Sequence, residues 1–163
     1  MPALRSESFA LPLKHHAAPP AARSEAMPPP IRSDSVPLRT EHDVVIARQL
    51  IRKIAQEIGF KLVDQTKLVT ATSELARNTV TYGGGGVLKW EHIVQAAKEG
   101  LRLTFCDQGP GIADIEQAMK EGFTTGKGLG MGLPGARRLV NDFAIESRPG
   151  AGTRVTITRW KLP

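Results

Sequence analysis

The stretch GFTTGKGLGMGLPGARRLV, residues 122–140, has a glycine at every second position from Gly126 to Gly132. Apolar residues alternate with these glycines, and the helix-like segment 136–140 follows directly. A flexible linker is usually polar around its glycines, whereas this loop combines bare backbone with apolar side chains. The pattern is typical of a loop that bends sharply and brings backbone N–H groups close to a ligand, most often a phosphate.

The composition divides the chain near residue 35. Eight of the 12 prolines lie in the first 40 residues, whereas all 16 glycines lie after residue 58. The opening segment has no apolar periodicity, so it cannot bury enough surface to offset its chain entropy. We therefore expect residues 1–35 to form a disordered, Pro-rich N-terminal extension and residues 36–163 to form one domain.

The lengths of the apolar runs and the number of cysteines limit where in the cell this protein is expected. The sequence has no run of about 18 apolar residues, the length needed to span a membrane, and it has no apolar signal-peptide segment. Its one cysteine, Cys106, excludes an internal disulfide and a Cys-based zinc site. Because Cys106 lies in the apolar run 101–106, we expect a buried structural thiol. These features predict a cytoplasmic protein with no membrane partner.

The net charge of +6 is distributed unevenly. Residues 121–163 carry seven Lys and Arg against three Asp and Glu, whereas residues 41–120 carry ten of each. An excess around the glycine-rich loop suits a small anionic ligand or an acidic protein face. A nucleic-acid binder usually has a denser basic stripe with interleaved aromatics, and only 5% of the residues in the whole chain are aromatic. A protein that binds nucleic acid is nevertheless kept as an alternative, and its affinity for DNA would fall steeply as the salt concentration rises.

Hydrophobic periodicity and turn residues predict an alternating order of helices and hairpins. The first half of the chain is predicted to form an edge strand at 36–39, a helix at 42–60 that ends at the C-cap Gly59, and a helix at 64–82 that is capped by Asp64. The second half is predicted to form strands at 87–96 and 101–106 with a turn at 98–100, a helix at 115–121 capped by Asp114, a helix at 135–142, and a hairpin of 144–148 with 153–160. The predicted inner positions of the first helix are Val45, Ala47, Leu50, Ile51, Ile54, Ala55 and Ile58. This order predicts an α+β two-layer sandwich, in which helices cover one face of a mostly antiparallel mixed sheet. Neither a βαβ repeat nor the phosphate-loop pattern GxxxxGK[ST] is present.

The segment SELARN, residues 73–78, places Glu74 and Asn78 on one face of the second helix because they are four residues apart. A carboxylate next to an amide oxygen suits Mg²⁺, which accepts hard oxygen ligands and retains water. An exposed glutamate in a helix that approaches its end would produce the same spacing. From these two residues alone, both interpretations stay open.

The segment DQGPGI, residues 107–112, follows a predicted strand. Asp107 could accept a hydrogen bond from the exocyclic amine of adenine, and Gly109 and Gly111 could let the backbone approach a flat base. A tight turn with an incidental aspartate is the alternative. Thr153 opens the last strand, where it could bond near the same base or serve as an ordinary β-branched strand residue.

In chain order, the patterns ExxxN, DxGxG, GxGxG and GT resemble those of the Bergerat-fold ATPases and kinases, which include gyrase, heat-shock-90 chaperones and histidine kinases. The resemblance covers residues 36–163. Within that superfamily, ARQLIRKIAQEIGF, VDQTKLVTATSELARNTVTYGGGG, DQGPGI and GFTTGKGLGMGLPGARRL resemble the switch serine/threonine kinases of the stressosome and the related anti-sigma-factor kinases.

This resemblance implies the nucleotide chemistry of individual residues. It implies that Asn78 coordinates a Mg²⁺ ion bridging the triphosphate of ATP and that Glu74 polarises the attacking hydroxyl or a metal-bound water. It implies that Asp107 recognises the adenine amine. The supporting positions are Gly109, Gly111 and Thr153 around the base, and Gly126, Lys127, Gly128, Gly130 and Gly132 in a lid over the phosphates. Lys127 is a candidate contact of the terminal phosphate, and Arg77 is either a substrate or phosphate contact or a plain surface residue.

The resemblance also implies a function: an ATP-dependent protein serine/threonine kinase of a stress-response partner switch. Such a kinase phosphorylates Ser or Thr on a STAS-domain antagonist or scaffold protein. Once released, it activates a downstream phosphatase or other output regulator. The alternative is a nucleotide-gated, anti-sigma-factor-like binding protein with little or no phosphotransfer, which would also bind ATP and Mg²⁺.

Overall fold

The computed structural model describes residues 28–120 and 132–163. Its elements, in chain order, are β1 (Arg32–Leu38), α1 (Glu41–Ile58), α2 (Leu62–Thr81), β2 (Gly86–Gln95), β3 (Lys98–Asp107), α3 (Ile115–Ala118), α4 (Gly132–Arg138), β4 (Asp142–Ser147) and β5 (Thr153–Trp160). The five strands form one sheet in the order β1-β2-β3-β5-β4. All four strand pairings are antiparallel, and β1 is an edge strand as predicted.

The core lies between one face of the sheet and helices α1 and α2. Alternate residues of the three central strands point into it, and these are Leu88, Trp90, Leu101, Leu103, Phe105, Val155 and Ile157. Helices α1 and α2 supply the opposing apolar side chains, such as Ile51, Leu68 and Leu75. This arrangement confirms the predicted α+β sandwich. Among the described residues, no helix is both long and apolar enough to cross a membrane.

Helix α1 shows how local sequence sets an element's ends. Thr40 Oγ1 accepts a hydrogen bond from the Asp43 N–H, and the Asp43 carboxylate accepts one from the Thr40 N–H, which forms a capping box. The helix ends at Gly59, whose φ of 96° supports the predicted C-cap. The prediction for Val45 was wrong: its side chain is exposed, and Val44 is buried instead, because the inner stripe runs through 44, 47, 51, 54, 55 and 58.

The predicted N-cap of α2 was also wrong. The helix begins at Leu62, and the cap residue is Lys61, which makes no side-chain cap hydrogen bond. Asp64 is buried inside the first turn, where its Oδ1 accepts a hydrogen bond from Arg159 Nε at 3.0 Å. This aspartate therefore neutralises a strand residue 95 positions away. A pattern of neighbouring residues cannot reveal that partner.

Strand β1 begins earlier than the sequence predicts. It pairs with β2 from Arg32 opposite His92, so the sheet includes residues 32–35, which were assigned to the N-terminal extension. These residues are polar and exposed, because β1 is an edge strand with one open side. The strand crosses the predicted boundary between residues 35 and 36, and the division into extension and domain is otherwise still a prediction.

The turn between β2 and β3 lies at Ala96 and Ala97, not at the predicted 98–100. Both alanines have positive φ values, 50° and 64°, as a two-residue hairpin turn of the primed type requires. Gly100, which suggested the turn, lies inside β3, where a Cβ would stand 2.6 Å from the Trp160 ring. The glycine therefore marks close packing of a ring, not a change of direction.

The remaining elements lie near their predicted positions. Asp114 Oδ1 accepts a hydrogen bond from the Gln117 N–H at 3.0 Å, which confirms the predicted cap of α3. Helix α4 starts and ends earlier than the helix predicted at 135–142. Strand β4 already begins at Asp142, which was the last residue of the predicted helix. Cys106 is half-buried on the sheet face opposite the helices, so the expectation of a buried thiol was wrong.

Candidate nucleotide site

A cavity of about 880 Å³ lies at one end of the sheet, between the second half of α2, the end of β3 and the start of β5. The loop after β3, helix α3 and the start of α4 close its sides. Six predicted site residues line it, and these are Glu74, Asn78, Asp107, Gly111, Gly132 and Thr153. A smaller cavity of about 320 Å³, on the surface of α1 and α2, is lined by none of the predicted site residues. The sequence patterns therefore converge on one place in the fold.

Helix α2 presents Glu74 and Asn78 to this cavity from consecutive turns. The Glu74 side chain is only 15% exposed, and its Oε1 lies 3.6 Å from Arg77 Nη1. Within the described residues, the Asn78 side-chain amide makes no hydrogen bond, although the Asn78 carbonyl accepts from the Tyr82 and Gly83 N–H groups. A largely buried carboxylate and an amide that has no partner among the described residues thus face the same space.

Asp107 is the last residue of β3, and among the described residues only one oxygen of its carboxylate has hydrogen-bond donors. Its Oδ1 accepts hydrogen bonds from the Gly109 N–H at 2.9 Å and from the Thr153 N–H at 3.2 Å. Within the described residues, Oδ2 accepts no hydrogen bond. Because Asp107 lines the cavity, this second oxygen is able to accept a hydrogen bond from a donor such as an exocyclic amine.

The structure explains why positions 109 and 111 are glycines, and the sequence did not indicate this explanation. A Cβ on Gly109 would lie 2.7 Å from the Gly83 Cα, and one on Gly111 would lie 2.0 Å from the Arg148 carbonyl oxygen. Real Cβ atoms do not approach other atoms so closely, so contacts within the protein already exclude side chains at both positions. Close approach to a base, which the sequence suggested, is not needed to explain these glycines.

Ser147, at the end of β4, supports the loops around the cavity, and sequence reasoning missed it. Its Oγ accepts a hydrogen bond from the Ile112 N–H at 2.8 Å and donates one to the Gly152 carbonyl at 3.0 Å. The same atom lies 2.8 Å from Thr153 Oγ1. Ser147 therefore connects the loop after Asp107 to the β4–β5 hairpin. A serine before a turn is common, so no local signal distinguishes it.

The predicted lid lies largely outside the part of the chain that the structure describes. This applies to Gly126, Lys127, Gly128 and Gly130, whose assignments remain predictions. Gly132 is the first residue of α4 and lines the cavity. Gly132 therefore lines the same cavity as Asn78 and Asp107, and its assignment to a lid over phosphates stays a prediction.

The donor set fits a magnesium ion that completes its coordination with ligand oxygens. Across residues 28–120 and 132–163, no group of three His, Cys, Asp or Glu side chains could hold a metal by itself. Mg²⁺ is usually bound through one or two protein oxygens together with water and substrate phosphates. Asn78 Oδ1, one helical turn from the Glu74 carboxylate, offers such an oxygen.

The two-layer fold and the few polar side chains that face its cavity suit a nucleotide-binding domain. Residues 63–163 match the family model described as histidine kinase-, DNA gyrase B-, and HSP90-like ATPase, and the chain belongs to this family. It is 47% identical over 123 residues to the serine/threonine-protein kinase RsbT of Bacillus subtilis (strain 168), a match covering 76% of this chain and 92% of that protein.

The chain is also similar to an anti-sigma factor and to a solved structure. It is 28% identical over 120 residues to the anti-sigma F factor of Thermoanaerobacter sp. (strain X514), which covers 70% of this chain and 82% of that protein. The crystal structure of the RsbU and RsbW domains of Rv1364c from Mycobacterium tuberculosis matches 81% of this chain and 33% of that longer chain, with a TM-score of 0.58 and 23% identity, and supports the fold alone. The protein is an ATP-using serine/threonine protein kinase of the partner-switching kind.

Proposed function

We propose that this kinase transfers the γ-phosphate of Mg·ATP to a serine or threonine of a STAS-domain antagonist or scaffold protein in the cytoplasm. Once released, it binds and activates a downstream phosphatase or other output regulator. The observation that carries the proposal is the convergence of Glu74, Asn78 and Asp107 on one cavity of about 880 Å³. The 47% identity to a serine/threonine-protein kinase supports a hydroxyl acceptor.

Each of the three side chains has one task in this proposal. Asp107 Oδ2 accepts the adenine amine, while Oδ1 stays bound to the Gly109 and Thr153 N–H groups. Asn78 Oδ1 would hold Mg²⁺, and the bound ion would supply positive charge to offset that of the phosphates. Glu74 orients the acceptor hydroxyl and accepts its proton, a role that suits a carboxylate that lines the cavity.

Arg77 and the glycine-rich loop complete the site. Arg77 lies 3.6 Å from Glu74 and also lines the cavity, so it is placed to hold that carboxylate or to contact the γ-phosphate. The glycines at 126, 128, 130 and 132, with Lys127, cover the phosphates in this proposal. Bare backbone N–H groups are suitable donors to phosphate oxygens.

Phosphate transfer tests the proposal. We expect wild-type protein to move label from γ-labelled Mg·ATP to a serine or threonine of a co-encoded STAS-domain protein. Glu74→Gln should slow this transfer by about 10²–10⁴-fold, the usual contribution of a positioned general base. ADP affinity should change by less than about 3-fold, since the substitution removes a group that acts on the acceptor. Transfer and affinity are measured on the same preparations.

The control is Glu57→Gln, which alters an exposed glutamate on α1 that is paired with Arg32. It should transfer phosphate at the wild-type rate. Nucleotide binding without transfer to any STAS-domain protein would contradict the proposal and favour the nucleotide-gated binding protein. Steep salt-dependent DNA binding that ATP does not alter would instead support the nucleic-acid alternative.

A further inference from the structure

The connection between α2 and β2 consists of four consecutive glycines, Gly83 to Gly86. Helix termination requires one glycine at most, so three of them need another explanation. Gly84 and Gly85 have positive φ values of 71° and 99°, which favour glycine at those two positions. Gly83 is not among the residues with positive φ. The presence of glycine at position 83 is therefore explained by a lack of space for a side chain, not by backbone conformation.

The space beside Gly83 is occupied by the side chain of Asp107. A Cβ on Gly83 would lie 2.4 Å from Asp107 Cγ, 2.5 Å from Oδ2 and 2.6 Å from Cβ. The Gly83 backbone thus packs directly against the carboxylate that faces the cavity. No side chain fits at position 83 unless Asp107 moves or the connection shifts.

The other side of the same carboxylate is fixed by hydrogen bonds. Its Oδ1 is held by the Gly109 and Thr153 N–H groups, at 2.9 and 3.2 Å. Gly109 also packs on Gly83, since a Cβ on Gly109 would lie 2.7 Å from the Gly83 Cα. Asp107 is therefore enclosed by a backbone surface on one side and two N–H donors on the other. This enclosure leaves one orientation for the carboxylate, in which Oδ2 accepts no hydrogen bond from the part of the chain that the structure describes.

We propose that Gly83 is a positioning residue that fixes Asp107 for recognition of a purine bearing an exocyclic amine, so that base selectivity depends on the absence of a side chain at position 83. This inference rests on the proposed function in one respect, the assignment of Asp107 to the base. Gly83 does not itself contact the amine of the base. It acts by fixing the orientation of the Asp107 carboxylate.

The consequence of a side chain at 83 follows from these contacts. If the connection keeps its place when alanine stands there, the Asp107 carboxylate has to turn away and give up at least one of its N–H donors. A base with an amine then loses its acceptor. Inosine carries a carbonyl oxygen where adenine carries the amine, so its binding gains nothing from the carboxylate. Gly83→Ala should therefore weaken binding of ADP much more than binding of inosine diphosphate.

The experiment measures the dissociation constants of ADP and inosine diphosphate by calorimetry, in the full chain with Mg²⁺. Wild-type protein should prefer ADP by at least about 100-fold, because a site built to hydrogen-bond a donor strongly rejects an analogue lacking it. In Gly83→Ala, the ADP constant should rise by about 30-fold or more, while the inosine diphosphate constant should stay within about 3-fold. The preference for ADP over inosine diphosphate should therefore be largely lost in this variant.

Gly84→Asn is the matched control. Position 84 has a φ of 71°, and a Cβ there meets nothing within 4 Å. Asparagine tolerates this left-handed conformation better than other residues with a side chain. This variant changes the adjacent glycine without touching Asp107, so both nucleotide affinities should match those of the wild type.

A double-mutant cycle with Asp107→Asn separates action through Asp107 from general damage. If Gly83 acts through the carboxylate, Gly83→Ala should weaken ADP binding no further once Asp107 is already replaced. Equal weakening of both nucleotides by Gly83→Ala, or an additive double mutant, would overturn the inference. Failure of wild-type protein to bind either nucleotide would overturn the proposed function instead.

Folding is checked first by circular dichroism and urea unfolding. If Gly83→Ala does not fold, the double variant Gly83→Ala/Asp107→Gly removes the side chain that the new Cβ would meet. Recovery of the fold in this double variant supports the contact with Asp107 as the reason for glycine at 83. A double variant that also fails to fold shows that another contact excludes the side chain, and the inference is then wrong.

Discussion

At the residue scale, the sheet holds two carboxylates in contrasting ways. Glu91 is buried on the face opposite the helices, and both of its oxygens have cationic partners: Arg102 Nε at 2.7 Å and Lys89 Nζ at 3.4 Å. Asp107 has protein donors on Oδ1 only, and within the described residues its Oδ2 has none. The fully paired carboxylate stabilises the sheet, whereas the half-paired one can bind a ligand.

The Glu91 pair should give the fold a defined pH dependence. The hydrogen bond from Arg102 is the main cause that holds the pKa of Glu91 below its ordinary value of 4.5. Because the folded-state pKa is depressed, this stabilisation is complete above pH 4.5 and is lost as the pH falls through the lower folded value. Glu91→Gln should reduce the free energy of unfolding at pH 7 by about 1–3 kcal/mol.

Urea unfolding of wild type and Glu91→Gln at pH 7 and at successively lower pH checks this expectation. The difference between the two proteins should shrink below pH 4.5, since the wild-type carboxylate is then progressively protonated. A difference of constant size over the whole range would show that lost packing, not charge, is what the substitution removes.

Sequence reasoning located the cavity residues whose relation is local. Glu74 and Asn78 share a helix face because they are four residues apart, and Asp107 was identifiable because it ends a strand before a glycine turn. Gly83 and Ser147 were missed because their importance depends on contacts across 24 and 35 positions, with Asp107 and Ile112 respectively. Such contacts exist only once the sheet has formed.

At the element scale, the β2–β3 hairpin contains a correctable strain. Ala96 and Ala97 both adopt left-handed backbone conformations, which disfavour residues with a Cβ. Ala97→Gly should therefore raise the free energy of unfolding by about 0.5–1 kcal/mol. Thermal or urea unfolding at neutral pH measures the change, and nucleotide affinity should not change, because the turn does not line the cavity.

Ala144→Gly is the matched control, since Ala144 is exposed inside strand β4. The same substitution should there lower stability by about 0.5–1 kcal/mol, because glycine in a strand loses more chain entropy on folding. A result in which Ala97→Gly also lowers stability would contradict the assigned turn conformation.

Element existence was easier to predict than element boundaries. Helix α1 was predicted well because its capping box, apolar stripe and terminal glycine all lie within the helix or at its ends. The turn and the start of α2 were wrong because Gly100 and Asp64 serve distant partners, the Trp160 ring and the Arg159 guanidinium. Both residues resemble local signals but respond to tertiary contacts.

At the scale of the whole molecule, one ion pair connects three elements around the core. Arg159 of β5 donates to Asp64 of α2 and, through Nη1, to the Leu139 carbonyl just after α4 at 2.9 Å. Helix α4 also begins at the cavity, with Gly132. The segment that follows the glycine-rich loop is thus held to the sheet and to the helix that carries Glu74 and Asn78.

We propose that ATP binds in the cavity between α2, β3 and β5, with its base on Asp107. A crystal structure of the protein with Mg²⁺ and a non-hydrolysable ATP analogue would test this proposal. We expect the base amine within hydrogen-bond distance of Asp107 Oδ2, the metal on Asn78 Oδ1 and the γ-phosphate on the side of Glu74. A nucleotide bound in the smaller cavity on α1 and α2, or a base without contact to Asp107, would contradict it.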